Sequence, residues 1–314
     1  MSERRQRERG LTIAVAAGKG GTGKTLVATS LAVALAQAAS RAGPGWAPGG
    51  AVQLLDCDVE EPNADLLLQP RFVSRRPVSI SVPQVSKTLC TLCGRCAEKC
   101  QFSAIAVMRD VVLTFPDLCS GCGLCAEVCP EGAISEVPRE IGVVDTGRTE
   151  EGIELIQGRI NVGEQRSGPV TKAVKAFIEA EATSILDAPP GTACPMQETV
   201  SGSDYCLLVT EPTPFGLSDL KAAVETCRSL GVPCGVIVNR DQQGGRYGPL
   251  DDYCGEANLP VLLRVPEKRE IAESYARGLT LARAFPEWGA RLRGVYSEIE
   301  HILGLEELKK DAIR

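Results

Sequence analysis

Two groups of residues in this chain have types and spacings suited to chemistry. The first is Gly18-Lys19-Gly20-Gly21-Thr22-Gly23-Lys24-Thr25, a G-x-x-x-x-G-K-T run. Its glycines let successive backbone N–H groups turn toward phosphate oxygens. Lys24 would reach the β- and γ-phosphates, and Thr25 would ligate Mg²⁺. The second is a doubled C-x-x-C-x-x-C-x-x-x-C pattern, at Cys90, Cys93, Cys96 and Cys100 and again at Cys119, Cys122, Cys125 and Cys129. Three thiolates at i, i+3 and i+6 wrap one face of an iron–sulfur cubane, while the fourth points to the other cluster. The spacing therefore predicts crossed ligand sets. Cys90, Cys93, Cys96 and Cys129 would hold one [4Fe–4S] cluster, and Cys119, Cys122, Cys125 and Cys100 the second. Zinc bound by paired C-x-x-C is the competing reading, but it leaves the doubled pattern without a use.

Carboxylates follow the phosphate-binding run. Asp56 and Asp58 come just after the apolar residues 51–55, and the carboxyl end of a parallel strand is where open α/β sheets bind ligands. There they would meet Mg²⁺ and an attacking water, which Asp58 would orient; a solvated strand-end loop is the plainer alternative. A second apolar stretch, 184–186, leads into Asp187-Ala188-Pro189-Pro190-Gly191-Thr192. Asp187 is placed to bind Mg²⁺ through water, and Gly191 to sense the γ-phosphate and move when it leaves.

The elements that must position these groups are legible around them. An apolar run at 11–17 precedes the glycines and an Ala/Leu-rich run to about Ala39 follows. That is a buried strand, a turn, and a helix whose dipole adds positive charge at the turn. Residues 40–50 are rich in Gly and Pro and read as a loop. Further strands are expected at 78–85, 184–186, 205–210, 233–239 and 260–265, a hairpin over 141–161, and helices at 169–182, 216–231 and 248–258. The last helices, 267–277 and 288–303, read as surface helices. Between Cys90 and Cys129 the chain changes character, and the repeat is too short to form a core without its clusters.

Whole-chain quantities bound the answer. The 314 residues carry a formal charge of −6, which gives no electrostatic reason to expect nucleic-acid binding. The arginine-bearing residues 1–10 read as a flexible tail without a secretory or membrane-spanning stretch behind them. Fourteen cysteines with no export signal point to metal ligation in a reducing, cytoplasmic setting. His301 is the one histidine and lies far from every motif, which argues against imidazole catalysis. Phosphoryl transfer remains, since it needs positioning and charge neutralisation more than a strong base. Of the other cysteines, Cys206, Cys227 and Cys234 lie in apolar patterns and read as core residues.

The K-G-G-T-G-K-T run, with its early Lys19, resembles the deviant Walker A motif of the MinD/ParA/nitrogenase-iron-protein class. In that class the lysine reaches across a dimer interface to the partner's nucleotide. The 187–192 stretch resembles the D-x-P-P-G-T of MinD-type and Mrp-type ATPases. Asn239, just after a strand, resembles the family's purine-recognising asparagine, although a side chain capping the next turn is the alternative. The cysteine runs resemble bacterial two-cluster ferredoxins, apart from Gln101 where that family has proline. Cys194 is spaced from Asp187 like the bridging cysteine of nitrogenase iron protein, but no second cysteine lies at 163–167.

The combined resemblance implies an α/β, mainly parallel-sheet P-loop NTPase with an inserted small α+β ferredoxin domain. Its expected limits are 11–85 and 138–314 for the ATPase and 86–137 for the insert. It implies ATP, Mg²⁺ and two [4Fe–4S] clusters as cofactors, and a homodimer formed with ATP. An electron donor and acceptor, or a metalloprotein client, would complete the system; neither nucleic acid nor membrane insertion is expected. Two other functions stay open. An Mrp-type cluster carrier would use a C-terminal C-x-x-C that this chain does not have after Cys129, and a MinD/ParA-type positioning ATPase would need an attachment that the mixed-charge residues 306–314 do not resemble.

Overall fold

The structure, a computed structural model, describes residues 10–42, 51–242 and 247–305. The expected tail at 1–10 apart from Gly10, most of the loop at 40–50 and the 306–314 segment lie outside them.

A nine-stranded sheet organises the chain, in the order β11-β10-β9-β1-β8-β2-β7-β6-β3. Its centre is formed by β1 (Thr12–Ala16), β8 (Ala182–Asp187) and β9 (Tyr205–Thr210), buried at every position. Such unbroken burial is what a parallel strand covered on both faces requires. β1 pairs in parallel with β8 and β9, β8 with β2 (Ala51–Asp56), and β2 with β7 (Glu154–Ile160). On the other side β10 (Cys234–Asp241) and β11 (Val261–Pro266) continue in parallel. Within this sheet β6 (Ile134–Arg148) is the reversed strand, antiparallel both to β7 and to the edge strand β3 (Arg71–Val85).

Helices cover both faces. The first, α1 (Lys24–Ala42), buries Val27, Leu31 and Leu35 in one core. Into that same core packs the long C-terminal helix Pro286–Ile302. The sequence assigns this helix to the surface, but Trp288, Leu292, Val295 and Ile299 form a stripe at helical spacing that closes the core over α1. The second core buries Val170 and Val174, Met196 and Val200, and Leu220 and Val224 from three helices on the opposite face.

One expected helix, 169–182, is shorter: it spans Gly168–Lys175. The buried Gln53 side chain of β2 takes over beyond it, donating to the Phe177 carbonyl at 3.1 Å and accepting from the Glu179 N–H at 3.1 Å. These bonds fix the turns that lead the chain into β8. The strand expected at 78–85 is the distal half of a longer one. β3 and β6 stay paired from Arg71 opposite Arg148 to Val85 opposite Ile134. β6 meets β7 only from Gly142 to Arg148, so the distal part projects beyond the sheet as a two-stranded arm.

Residues 86–133 sit at the end of this arm. They form two short helices, Arg95–Lys99 and Leu124–Glu127, and a hairpin of β4 (Ile105–Val107) and β5 (Val112–Thr114). Their own apolar cluster is small, built on Cys96, Ile105 and Ile134. Among the described residues no helix is long and apolar enough to cross a membrane.

Candidate functional site

The glycine-rich run bridges β1 and α1 at the carboxyl end of the sheet's centre, beside β8 and β9. It borders a cavity of about 430 Å³, within the range that holds small-molecule ligands. Gly20, Gly21, Gly23, Lys24 and Thr25 line its floor, and Asp58, Pro190 and Asn239 line its sides. Gly21 and Gly23 have φ of +77° and +93°, which lets the turn bring its amides inward. At Gly23 a side chain is excluded twice over, because a Cβ would lie 2.4 Å from the Asn239 Nδ2. Gly18 faces away from the cavity and packs against the Asp219 backbone.

Lys24 is 7 % exposed, held at the first turn of α1. Asp187 ends β8 and is buried, and neither of its carboxylate oxygens has a hydrogen-bond partner among the described residues. Burial pushes its pKa up, while the neighbouring Thr25 hydroxyl and Lys24 ammonium favour its charged form. An orphaned buried carboxylate beside Thr25 is a set of hard oxygen donors that suits Mg²⁺. Asp58 is half-buried; burial raises it to about 6, opposed by Lys24.

Asp56 does something else. It is fully buried and its carboxylate accepts N–H bonds from Asn63, Ala64 and Asp58 at 3.0–3.2 Å, so it shapes the loop that presents Asp58. Asp58, and not Asp56, is among the residues lining the cavity. Gly191 donates its N–H to the Ala17 carbonyl at 3.1 Å, tying the segment after β8 to the end of β1. Thr22 is buried, and its carbonyl accepts the Asn239 side-chain amide. Lys19 lies outside the cavity, its Nζ 3.3 Å from Glu211, which also pairs with Arg240.

Sequence reasoning missed the far wall, formed by Pro266, Lys268, Ile271 and Tyr275. Nothing in the local pattern marks them, because the β10–β11 pairing brings them there. Cys57, Cys206, Cys227 and Cys254 are buried, Cys234 partly so, and Cys194 is exposed.

The arm's cysteines surround two other cavities. One is walled by Cys90, Cys93, Cys96 and Cys129, the other by Cys100, Cys119, Cys122 and Cys125. The crossing follows from the fold: Gly94 and Gly123, at φ of +81° and +73°, turn each run into its short helix, and these helices pack together. Backbone N–H groups of Ala104, Gly121 and Ala133 point at the sulfurs of Cys100, Cys119 and Cys129 at 3.3–3.4 Å. Among the described residues no three His, Cys, Asp or Glu side chains converge as a single-ion site would require.

A parallel sheet with a glycine-rich phosphate turn, a buried lysine and a strand-end aspartate defines the class: a P-loop nucleotide-binding protein. Residues 13–281 match the model of the CobQ/CobB/MinD/ParA nucleotide binding domain, and the chain belongs to that family. It is 32 % identical over 73 % of its length to an uncharacterised protein of Methanocaldococcus jannaschii, covering 78 % of that relative. An uncharacterised ATP-binding protein of the same organism is 24 % identical, over 88 % of this chain and 82 % of its own. Among solved structures, the septum site-determining protein MinD from Pyrococcus horikoshii, complexed with Mg-ADP, superposes with a TM-score of 0.55 at 20 % identity, covering 94 % of this chain and 98 % of its own. The Cyanothece McdA(D38A)–ATP complex gives 0.56 at 16 % identity, covering 95 % and 98 %. These likenesses are of fold.

Proposed function

We propose that this protein binds and hydrolyses ATP and couples the resulting conformational change or dimerisation to two [4Fe–4S] clusters on its arm, for electron transfer or metallocluster maturation. The observation that carries this reading is the division of eight cysteines into two sets of four around separate cavities, at the end of strands continuous with the nucleotide-site sheet. Soft thiolates with N–H···S bonds suit iron–sulfur clusters. When bound, such clusters would supply one-electron chemistry. Residues 86–137 form the inserted ferredoxin-like domain, and 11–85 with 138–314 the ATPase.

In the ATPase, Lys24 neutralises the β/γ-phosphates, and Thr25 and Asp187 would hold Mg²⁺. Asp58 orients the attacking water from its place near Lys24. Lys19, released from Glu211, reaches a partner protomer's nucleotide in an ATP-dependent homodimer. Asn239 meets the purine. The test is anaerobic purification followed by iron and sulfide analysis and an ATPase assay on one sample. Brown, iron-loaded protein with Lys24-dependent turnover is expected; colourless, iron-free material overturns the cluster reading.

A second reading, a MinD/ParA-like positioning ATPase, draws on the MinD and McdA folds that overlay nearly all of this chain. ATP-dependent co-sedimentation with anionic liposomes or DNA would favour it. Iron-loaded protein that binds neither would favour the first.

A further inference from the structure

Ser120 stands between Cys119 and Cys122 and lines the second cysteine cavity. Its Oγ is buried and has no hydrogen-bond partner among the described residues. The chain around it leaves little freedom. Gly121 has φ +75°, a Cβ there would lie 3.2 Å from Ile80 and from the Ser81 carbonyl in the distal half of β3, and its N–H already points to the Cys119 sulfur. A hydroxyl without a partner in such a place is costly unless an occupant of the cavity accepts from it. The equivalent position in the first run is Thr91, which also borders its cavity but is exposed to solvent, so water can satisfy its hydroxyl.

We infer that the Ser120 hydroxyl donates a hydrogen bond to a sulfur of the cluster held by Cys100, Cys119, Cys122 and Cys125, and thereby raises that cluster's reduction potential selectively. The inference rests on the cluster reading above. Reduction places additional negative charge on the cluster, spread over its sulfurs, so a fixed donor stabilises the reduced form more than the oxidised one. The second cavity already has two N–H groups aimed at its cysteine sulfurs, from Ala104 and Gly121, and the first has one, from Ala133. The charged groups on the walls are Glu136 at the second cavity and Arg95 and Glu131 at the first, all exposed and so screened by salt. The buried hydroxyl acts at contact and is not screened in this way. Ser120 thus makes the two clusters inequivalent by direct contact with one of them.

The test uses the anaerobically purified full chain, titrated with dithionite under EPR or by protein-film voltammetry. Ser120→Ala should keep the wild-type iron and sulfide content and move one of the two potentials downward while the other stays in place. Ser120→Thr, which keeps a hydroxyl, should restore the wild-type value. Ser120→Cys, a weaker donor, should fall between them and serves should the alanine variant load poorly. Unmoved potentials in an iron-loaded alanine variant, a joint shift of both, or a threonine variant as low as alanine would overturn the assignment. An iron-free wild type would instead overturn the cluster reading on which it stands.

Discussion

The Asn239 side-chain Nδ2 donates to the carbonyl of Thr22 at 2.7 Å, joining the end of β10 to the phosphate turn across 217 residues. This bond spends a donor of the amide on the protein and leaves its oxygen as an acceptor at the cavity wall. An acceptor there suits the exocyclic amine of adenine better than the carbonyl of guanine. Asn239→Ala should therefore weaken ATP binding by about tenfold, the scale of one lost hydrogen bond, and narrow the preference for ATP over GTP. Titration with fluorescent ATP and GTP analogues measures both; unchanged affinities would remove Asn239 from the site.

Lys19 and Glu211 are held 3.3 Å apart, with Arg240 on the same carboxylate. If Lys19 acts on a partner's nucleotide, it must leave this pair. Lys19→Ala should abolish ATP-dependent dimerisation and turnover while leaving nucleotide affinity within about twofold, since it lies outside the cavity. Glu211→Gln should shift dimerisation to lower protein concentration. Light scattering with a non-hydrolysable ATP analogue reads both, and a Lys19→Ala chain that still dimerises contradicts the role.

Asp187 is buried beside Thr25 with both oxygens unpartnered. Leaving a buried carboxylate charged costs stability unless a cation is present. Asp187→Asn should raise the thermal stability of the nucleotide-free protein at pH 8, by about 1–3 kcal/mol, and remove Mg²⁺-dependent turnover. Because burial raises the folded pKa, the penalty is absent below the unfolded carboxylate value, grows as pH rises from there to the raised folded value, and is constant above it. The stabilisation should accordingly fade on acidification, which differential scanning fluorimetry at pH 4 and pH 8 would show.

Glu164 ties the arm to the sheet. Burial alone would raise its pKa, but hydrogen bonds from Arg166 and Arg139 bring it down to about 2. Both arginines also reach Asp117 on the insert. A carboxylate with a depressed folded pKa contributes stability that is present above the unfolded value and lost as pH falls toward about 2. Glu164→Gln should lower stability by about 1–3 kcal/mol at neutral pH, and the difference from wild type should shrink between about pH 5 and 2. A constant difference across that window would show that the arginines do not act through its charge.

Cys129 shares a cavity with Cys90, Cys93 and Cys96 although it belongs to the second run. Cys129→Ser and Cys90→Ser should therefore diminish the same cluster's signal and leave that of the Cys100 set. Iron analysis with EPR tests this, and variants that diminish different clusters would contradict the crossed sets.

The sequence alone determined the phosphate turn, the Asp187 strand end and the parallel core, because each is written in contiguous residues: glycines before a lysine, or an unbroken apolar run bounded by a carboxylate. It also wrote the cysteine spacing, whose two runs carry the same turns and short helices. What it could not decide was anything fixed by a distant partner. Asp56 and Asp58 share one strand-end motif in which the sequence points to Asp58 for orienting water, and only the fold shows Asp56 taken by the backbone of residues 58–64 with Asp58 at the cavity. The C-terminal helix is too polar on average to announce burial, yet its Trp288 stripe finds α1 and becomes core. The Gly168–Lys175 helix stops early because Gln53, more than a hundred residues upstream, captures the groups beyond it. Local backbone preferences act through neighbours in the chain, whereas burial and hydrogen-bond satisfaction act through neighbours in space, and these the tertiary structure alone assigned.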